Sequence, residues 1–164
     1  MDFSFLGNEQ FLQSRKDTRS YFFGYIPLPV LSWVEILEEL ERHVVGSLSY
    51  EPRNNLRFII YEMIHPTVVE FTENYSNLDQ TTSCTAHGYI NLMSKSGENG
   101  RHKDQADVIF WQVCGSTIWT VENQDETCVH TLNPGDAIYM PAGIYHSVES
   151  LTPRAGISFG LDHG

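Results

Sequence analysis

Six short runs crowd the last third of the chain: ADVIFWQVC, STIWTVE, ETCVHTL, DAIYMP, IYHSVE and RAGISFG. Each is rich in β-branched and aromatic residues, and Gly115, Asn123, Asn133-Pro134-Gly135, Ala142-Gly143 and Pro153 punctuate them. The gaps leave no room for crossover helices, so these strands cannot form a βαβ sheet. They predict an antiparallel sandwich or barrel. Upstream, LRFIIYEMI (Leu56 to Ile64) and HGYINLM (His87 to Met93) read as further strands. A polar stretch from Thr72 to Thr85 separates them, and SKSGENG (Ser94 to Gly100) is a turn-forming segment.

One helix stands out before the strands, in LSWVEILEELERHV from Leu31. Ser32 can cap it, with Glu35 three residues on as in a capping box. Trp33, Ile36, Leu37, Leu40 and Val44 recur at helical spacing and predict the inward stripe, with Glu35, Glu38, Glu39, Glu41 and Arg42 outside or at its margin. Pro27 and Pro29 favour an extended approach, and Gly46 is a natural stop. The expected architecture is an all-β core with an N-terminal helical flank over residues 1–55 and a barrel over 56–161. With 164 residues, 41% of them hydrophobic, the chain can bury one core and is short for two, so a single domain over 1–164 is expected.

The charge balance narrows the partners. With 21 acidic and 10 basic residues the formal charge is -11, a field that repels phosphate backbones and disfavours a nucleic-acid groove. Cys84, Cys114 and Cys128 show no CxxC spacing, which argues against a disulfide framework or zinc knot and suits a reducing cytoplasm. The start, MDFSFLGNEQ, lacks the basic and apolar pattern of a secretion signal, and the apolar runs fall short of a membrane span.

Chemistry concentrates in GRHKDQADV, where His102 and Asp104 stand two apart. On extended backbone such residues project to the same face, so one segment can offer an imidazole and a carboxylate to one metal. The third ligand must come from elsewhere, and His146 in PAGIYHSVES follows a tight turn into a strand. Two imidazoles and a carboxylate leave positions open on an octahedral metal, as in non-haem Fe(II) oxygenases, whereas structural sites are usually closed. A lone His-x-Asp is common as a surface pair, and a lone strand histidine is usually a core residue. The framing decides here: a glycine-rich turn before the pair, a hydrophobic strand after it, and NPGDAIYMPAG leading to His146. His43, His65, His87, His130 and His163 lack such framing and are left out of the ligand set.

At these residues the sequence resembles the JmjC-like cupin family of Fe(II)- and 2-oxoglutarate-dependent oxygenases, closest in pattern to the ribosomal oxygenases. The resemblance runs from Tyr89 to Gly160 through INLM, HKDQADVIFWQVCGSTIW, LNPGDAIYMPAGIYHSVES and GISFG. It implies a double-stranded β-helix, a cupin or jelly-roll barrel, with Fe(II) held by His102, Asp104 and His146. It also implies 2-oxoglutarate chelating that iron, O2 as oxidant, release of succinate and CO2, and hydroxylation of a protein, peptide or small molecule.

One departure concerns the far carboxylate of 2-oxoglutarate, which wants a cationic, preferably forked donor. Where the ribosomal oxygenases carry Gly-x-[Lys/Arg]-x-Trp, this chain reads Gly115-Ser116-Thr117-Ile118-Trp119, with Thr117 in place of the cation. Arg154 and then Lys95 are the candidate substitutes, with Tyr89, Asn91 and Ser158 as polar helpers. Trp111, Trp119, Phe110 and Phe159 are expected to pack the barrel. A second departure is length: the resembled enzymes carry further C-terminal helical and winged-helix regions, so a monomer or small homo-oligomer is expected. Thr117 keeps two alternatives open, a cupin dioxygenase or isomerase using Mn, Ni or Fe without 2-oxoglutarate, and a non-catalytic metal- or ligand-binding cupin. The segments Thr72 to Thr85 and Lys95 to Arg101 are the candidate substrate-selecting loops, and the acidic surface favours a basic protein partner.

Overall fold

Alternation of inward and outward side chains governs most of the chain beyond Tyr50. A computed structural model describes residues 1–78, 82–93, 96–97 and 100–163. A single helical turn (Ser4–Gly7) precedes α1 (Glu9–Lys16), β1 (Tyr21–Tyr25), α2 (Trp33–Val45), β2 (Tyr50–Arg53), β3 (Arg57–Ile60) and α3 (Pro66–Leu78). Then come β4 (Thr82–Asn91), β5 (Ser96–Gly97), β6 (Asp107–Cys114), β7 (Thr117–Glu122), β8 (Thr127–Leu132), β9 (Asp136–Met140), β10 (Tyr145–Ser150) and β11 (Arg154–His163). They form a seven-stranded sheet, β1-β9-β6-β11-β4-β3-β2, and a four-stranded sheet, β5-β10-β7-β8. Every pairing among the described strands is antiparallel. This is the jelly-roll barrel expected of a cupin.

The large sheet has two unlike faces. Outward, Ile109, Trp111, Ile157, Phe159 and Leu161 are fully buried against Leu6, Phe11, Ile36, Val68 and Phe71 of the helical layer. The Phe71 and Phe159 rings lie 3.9 Å apart. Inward, Phe110, Ile138 and Met140 meet Trp119, Val121, Leu132 and Val148 from the small sheet. This second cluster fills only part of the barrel, and the remainder is the cavity described below.

Three features of the N-terminal half differ from the sequence reading. The capping box of Ser32 and Glu35 forms as expected, but the fully buried positions of α2 are Ile36, Glu39 and His43, while Leu37 and Val44 are exposed. Glu39 explains the rotation. Its carboxylate accepts the Ile64 N–H at 2.6 Å and pairs with Arg42 at 3.1 Å, and His43 Nδ1 meets the Glu39 carbonyl at 2.9 Å. Polar groups with partners in place can be buried, and this anchor of the segment leading into α3 outweighs two aliphatic contacts.

Much of the supposed loop from Thr72 is α3. Pro66 occupies its first position, where a missing N–H costs nothing, and Val68, Phe71 and Tyr75 make one buried stripe. The flank over residues 1–55 is also not only helical: β1 extends the large sheet by pairing with β9, and β2 pairs with β3. No helix among the described residues is long and apolar enough to cross a membrane.

Candidate metal centre

The segments bearing the candidate ligands are zipped together by their own backbone. His102 N–H donates to the His146 carbonyl at 2.9 Å, and His146 N–H returns the bond at 2.8 Å. Gly143 N–H donates to the Asp104 carbonyl at 3.0 Å. Asp107, at the start of β6, secures the same turn: Oδ1 accepts the Ala142 N–H at 2.8 Å and Oδ2 accepts the Tyr139 hydroxyl at 2.6 Å. Burial first, and then this bond to Asp107, push the Tyr139 hydroxyl far up, so it stays a donor.

His102, Asp104 and His146 each present a ligand atom, all within 4.8 Å of one another. His102 Nε2 stands 3.9 Å from Asp104 Oδ1, and His146 Nε2 stands 3.6 Å from Asp104 Oδ2. Two donors on adjacent octahedral positions, each about 2.1 Å from a metal, stand about 3 Å apart. Small side-chain adjustments therefore close the set around one ion, and two imidazoles with one carboxylate suit a divalent transition metal with coordination positions left open.

Both imidazoles are oriented from behind. His102 Nδ1 lies 2.9 Å from the Gly100 carbonyl and His146 Nδ1 3.1 Å from the Ile144 carbonyl. A carbonyl only accepts, so each Nδ1 carries the proton and each Nε2 presents its lone pair to the site. The Trp119 ring stacks on His146 at 5.5 Å, and its Nε1–H donates to Thr117 Oγ1 at 3.2 Å. The His146 side chain is 2% exposed, against 30% for His102 and 38% for Asp104, so the site opens on the His102 and Asp104 side. Burial pushes the His146 imidazole down, outweighing the opposing pull of the Ile144 carbonyl and Asp104, and so favours the neutral form a metal requires.

The triad shares a cavity of about 140 Å³ with Tyr89, Val108, Phe110, Trp119, Val148, Arg154 and Ser158. Arg154 is 5% exposed and is the one lysine or arginine among the described residues lining it. Its guanidinium donates to the Tyr89 carbonyl at 3.2 Å and lies 5.8 Å from the centre of the Phe110 ring. That ring needs Gly156 beneath it, since a Cβ there would come within 2.1 Å of Phe110 Cζ. A larger groove of about 560 Å³ between the first helical turns and α3 contains none of the triad.

The sequence candidates thus divide. Tyr89, Arg154 and Ser158 line the cavity with the triad. Thr117 is buried outside its lining: it donates to Gln112 Oε1 at 2.9 Å and receives the Trp119 indole N–H. Asn91 is also buried outside the lining and donates to Ser150 Oγ at 3.3 Å. Lys95 lies outside the described residues. The sequence reading missed Asp107 and Gln112, and it took Trp119 for packing alone. Alternation along β7 places Thr117, Trp119 and Val121 on one face and could have pointed to Trp119.

The fold and the donor set together define a jelly-roll cupin with a candidate metal centre. The chain belongs to the JmjC domain family, whose pattern matches residues 64–163. No curated protein matches it. Among solved structures it is similar to YcfD, a ribosomal oxygenase from Escherichia coli, in complex with cobalt and succinic acid. The two share 21% identity at a TM-score of 0.57, over 70% of this chain and 35% of that one. The same enzyme with cobalt and 2-oxoglutarate aligns at 20% identity and a TM-score of 0.57, over 71% of this chain and 36% of that chain. A variant oxalate decarboxylase from Bacillus subtilis aligns at 14% identity and 0.51, over 71% and 27%. At these identities the likeness is one of fold, and the chain spans about a third of YcfD's length.

Proposed function

We propose that this chain is an Fe(II)- and 2-oxoglutarate-dependent oxygenase that hydroxylates a protein, peptide or small-molecule substrate. The observation that carries the reading is a single cavity holding the His102, Asp104 and His146 donors together with a buried arginine. The complexes of YcfD with cobalt and 2-oxoglutarate, and with cobalt and succinic acid, support both halves of it. Bound at the triad, Fe(II) with 2-oxoglutarate and O2 would supply the oxidation, releasing succinate and CO2 as the substrate gains a hydroxyl.

The chain's own residues do the positioning. The Gly100 and Ile144 carbonyls fix the imidazoles, and the Trp119 face holds His146 in place. Arg154 takes the role the family gives to the cation that Thr117 replaces, receiving the far carboxylate in a dry site where a fork of donors counts most. Tyr89 and Ser158 add hydroxyls. Burial, then the Asp104 charge, push the Tyr89 hydroxyl up, so it remains protonated and can donate. Val108, Phe110 and Val148 keep the wall apolar and exclude water. Thr117 and Asn91 act at one remove, through the groups they hydrogen-bond. The acidic composition and three cysteines that form no disulfide fit a cytoplasmic protein acting as a monomer or small homo-oligomer.

The test is an anaerobic titration of 2-oxoglutarate into the Fe(II)-loaded protein, followed in the visible spectrum. A saturable charge-transfer band that is absent in His102→Ala and Asp104→Ala, and needs far more co-substrate in Arg154→Ala, is the expected result. Iron binding without a band overturns the 2-oxoglutarate reading and leaves a cupin that uses metal, oxygen and substrate alone.

A further inference from the structure

Arg154 is the inner end of a row. In the strand register Arg53 of β2 stands opposite Arg57 of β3, Arg57 opposite Asn91 of β4, and Asn91 opposite Arg154 of β11. Directly opposed residues of antiparallel strands share a face, so three arginines and an asparagine cross four strands on the barrel's inner side. Exposure falls along the row: the Arg53 side chain is 42% exposed, Arg57 is half-buried and Arg154 is buried.

Three of the chain's ten lysines and arginines therefore converge at one end of one sheet. Opposed like charges destabilise a sheet, so Arg53 facing Arg57 is a cost to the fold. Glu51 offsets part of it, pairing with Arg53 at 3.2 Å while accepting the Tyr61 hydroxyl at 2.6 Å. Arg57 Nε donates to the Asn54 carbonyl at 3.2 Å.

The row also abuts the metal-site cavity. A second cavity of about 30 Å³ is lined by Arg53, Arg57, Ile59, Tyr89 and Arg154 among others, and shares Tyr89 and Arg154 with the larger one. That volume suits one water or the tip of a carboxylate rather than a second whole ligand. Burial and Asp104 push the Tyr89 hydroxyl up, while the Arg53 and Arg154 charges pull the other way, so both arginines are felt at one phenol.

We propose that Arg53 and Arg57, continuing the row to Arg154, form a capture site for a carboxylate of the dicarboxylate co-substrate and steer it into the metal-site cavity. This rests on the 2-oxoglutarate reading above. The chain's net charge of -11 repels a dianion at a distance, so a local cationic track is what makes association fast. Arg53 and Arg57 act through the positive field they add around the buried Arg154, since the cavity they share with it admits no more than a carboxylate tip.

The experiment is anaerobic stopped-flow mixing of 2-oxoglutarate with the Fe(II)-loaded full chain at several NaCl concentrations, with formation and decay of the visible band giving the on- and off-rates. The wild-type on-rate is expected to fall as salt rises, against the sign of the net charge. Arg53→Gln/Arg57→Gln should lower it roughly tenfold, leave the off-rate near the wild-type value and turn the salt slope upward, because salt then screens only repulsion. Exposed Arg53→Gln alone should give part of the effect, and Arg57→Lys should keep most of the wild-type rate. An unchanged on-rate and salt slope in the double variant overturns the proposal and leaves the co-substrate reading standing. So does a defect confined to the off-rate. A wild-type protein that binds iron but forms no band overturns both.

Discussion

Strand β11 sends alternate residues to two faces that have nothing in common. Outward go Ala155, Ile157, Phe159 and Leu161, all fully buried under the helical layer. Inward go Arg154, Gly156, Ser158 and Gly160, in register with Asn91, Tyr89, His87 and Thr85 of β4. The outward face is interchangeable hydrophobic volume, and its work is to hold the sheet to α2, α3 and the first helical turns. The inward face keeps side chains small or polar, leaves space, and buries a cation that a pure stability criterion would remove. Fold and site are thus written into one strand at period two, and they separate cleanly under substitution.

The largest effect should come from the outward face. Phe159→Ala removes a fully buried ring in contact with Phe71 and should cost about 3–5 kcal/mol of unfolding free energy. Urea unfolding measures it, and the protein that stays folded should bind metal as before. Inward, Arg154→Met should do the reverse. Exchanging the buried charge for an apolar side chain of similar length removes its desolvation cost but leaves the Tyr89 carbonyl without its donor, so the two effects on the fold oppose each other, while losing the partner of a buried carboxylate costs about 2–5 kcal/mol of binding. A Tm close to the wild-type value with 2-oxoglutarate affinity weakened by roughly thirtyfold or more is the expected pair of results. A Tm that falls as far as in Phe159→Ala would erase the contrast between the faces.

The two faces were not equally legible. Strands β6 to β11 are plain in the sequence because period-two runs meet glycine and proline turns, and the nearness of the candidate ligands His102 and Asp104 is plain because residues two apart on extended chain share a face. Which way Arg154 points is not. It follows Pro153 at a strand start, and a slip of one residue reverses every side chain. The pairing of β11 with β6 shifts register between Ala155 and Gly156, a detail set by long-range contacts. α3 is hidden because Glu70, Thr72, Glu73 and Asn74 dilute its stripe of Val68, Phe71 and Tyr75. β1 is hidden by its brevity and by the irregularity between Phe22 and Gly24, where Gly24 takes a φ of +67°. The burial of Glu39 and the roles of Gln112 and Asp107 depend on partners distant in sequence, and no local pattern encodes them.

Thr117 tests the layer behind the site. Its hydroxyl lies between Gln112 Oε1 and the Trp119 indole N–H, all buried. Thr117→Val conserves shape and strands both partners, which should cost about 2 kcal/mol of stability. Trp119 would also lose the bond that fixes its ring over His146. A rise in metal dissociation constant should accompany the fall in Tm, and a fall in Tm alone would mark Thr117 as packing only.

Asp107 crosses the divide. It has the outward parity of β6, opposite Leu161, yet its carboxylate holds Ala142 N–H in the turn that delivers His146 and accepts the hydroxyl of Tyr139, whose ring packs on Phe11 at 5.3 Å. Asp107→Asn keeps one acceptor oxygen for the Ala142 N–H and can only donate to the Tyr139 oxygen, so two charge-assisted bonds become weaker neutral ones and the hold on the turn loosens. The cost to the fold should be small, about 1 kcal/mol. Metal affinity should fall about tenfold, in the range seen when a group that orients ligands is lost. Tyr139→Phe is the control, because it leaves the Ala142 bond in place and should affect Tm more than metal binding. Titration of both variants against a competing chelator decides the matter. Weaker metal binding in Asp107→Asn alone makes Asp107 the point where the outward face sets the geometry of the inward one. Equal metal affinity in both variants makes the separation of the two faces complete.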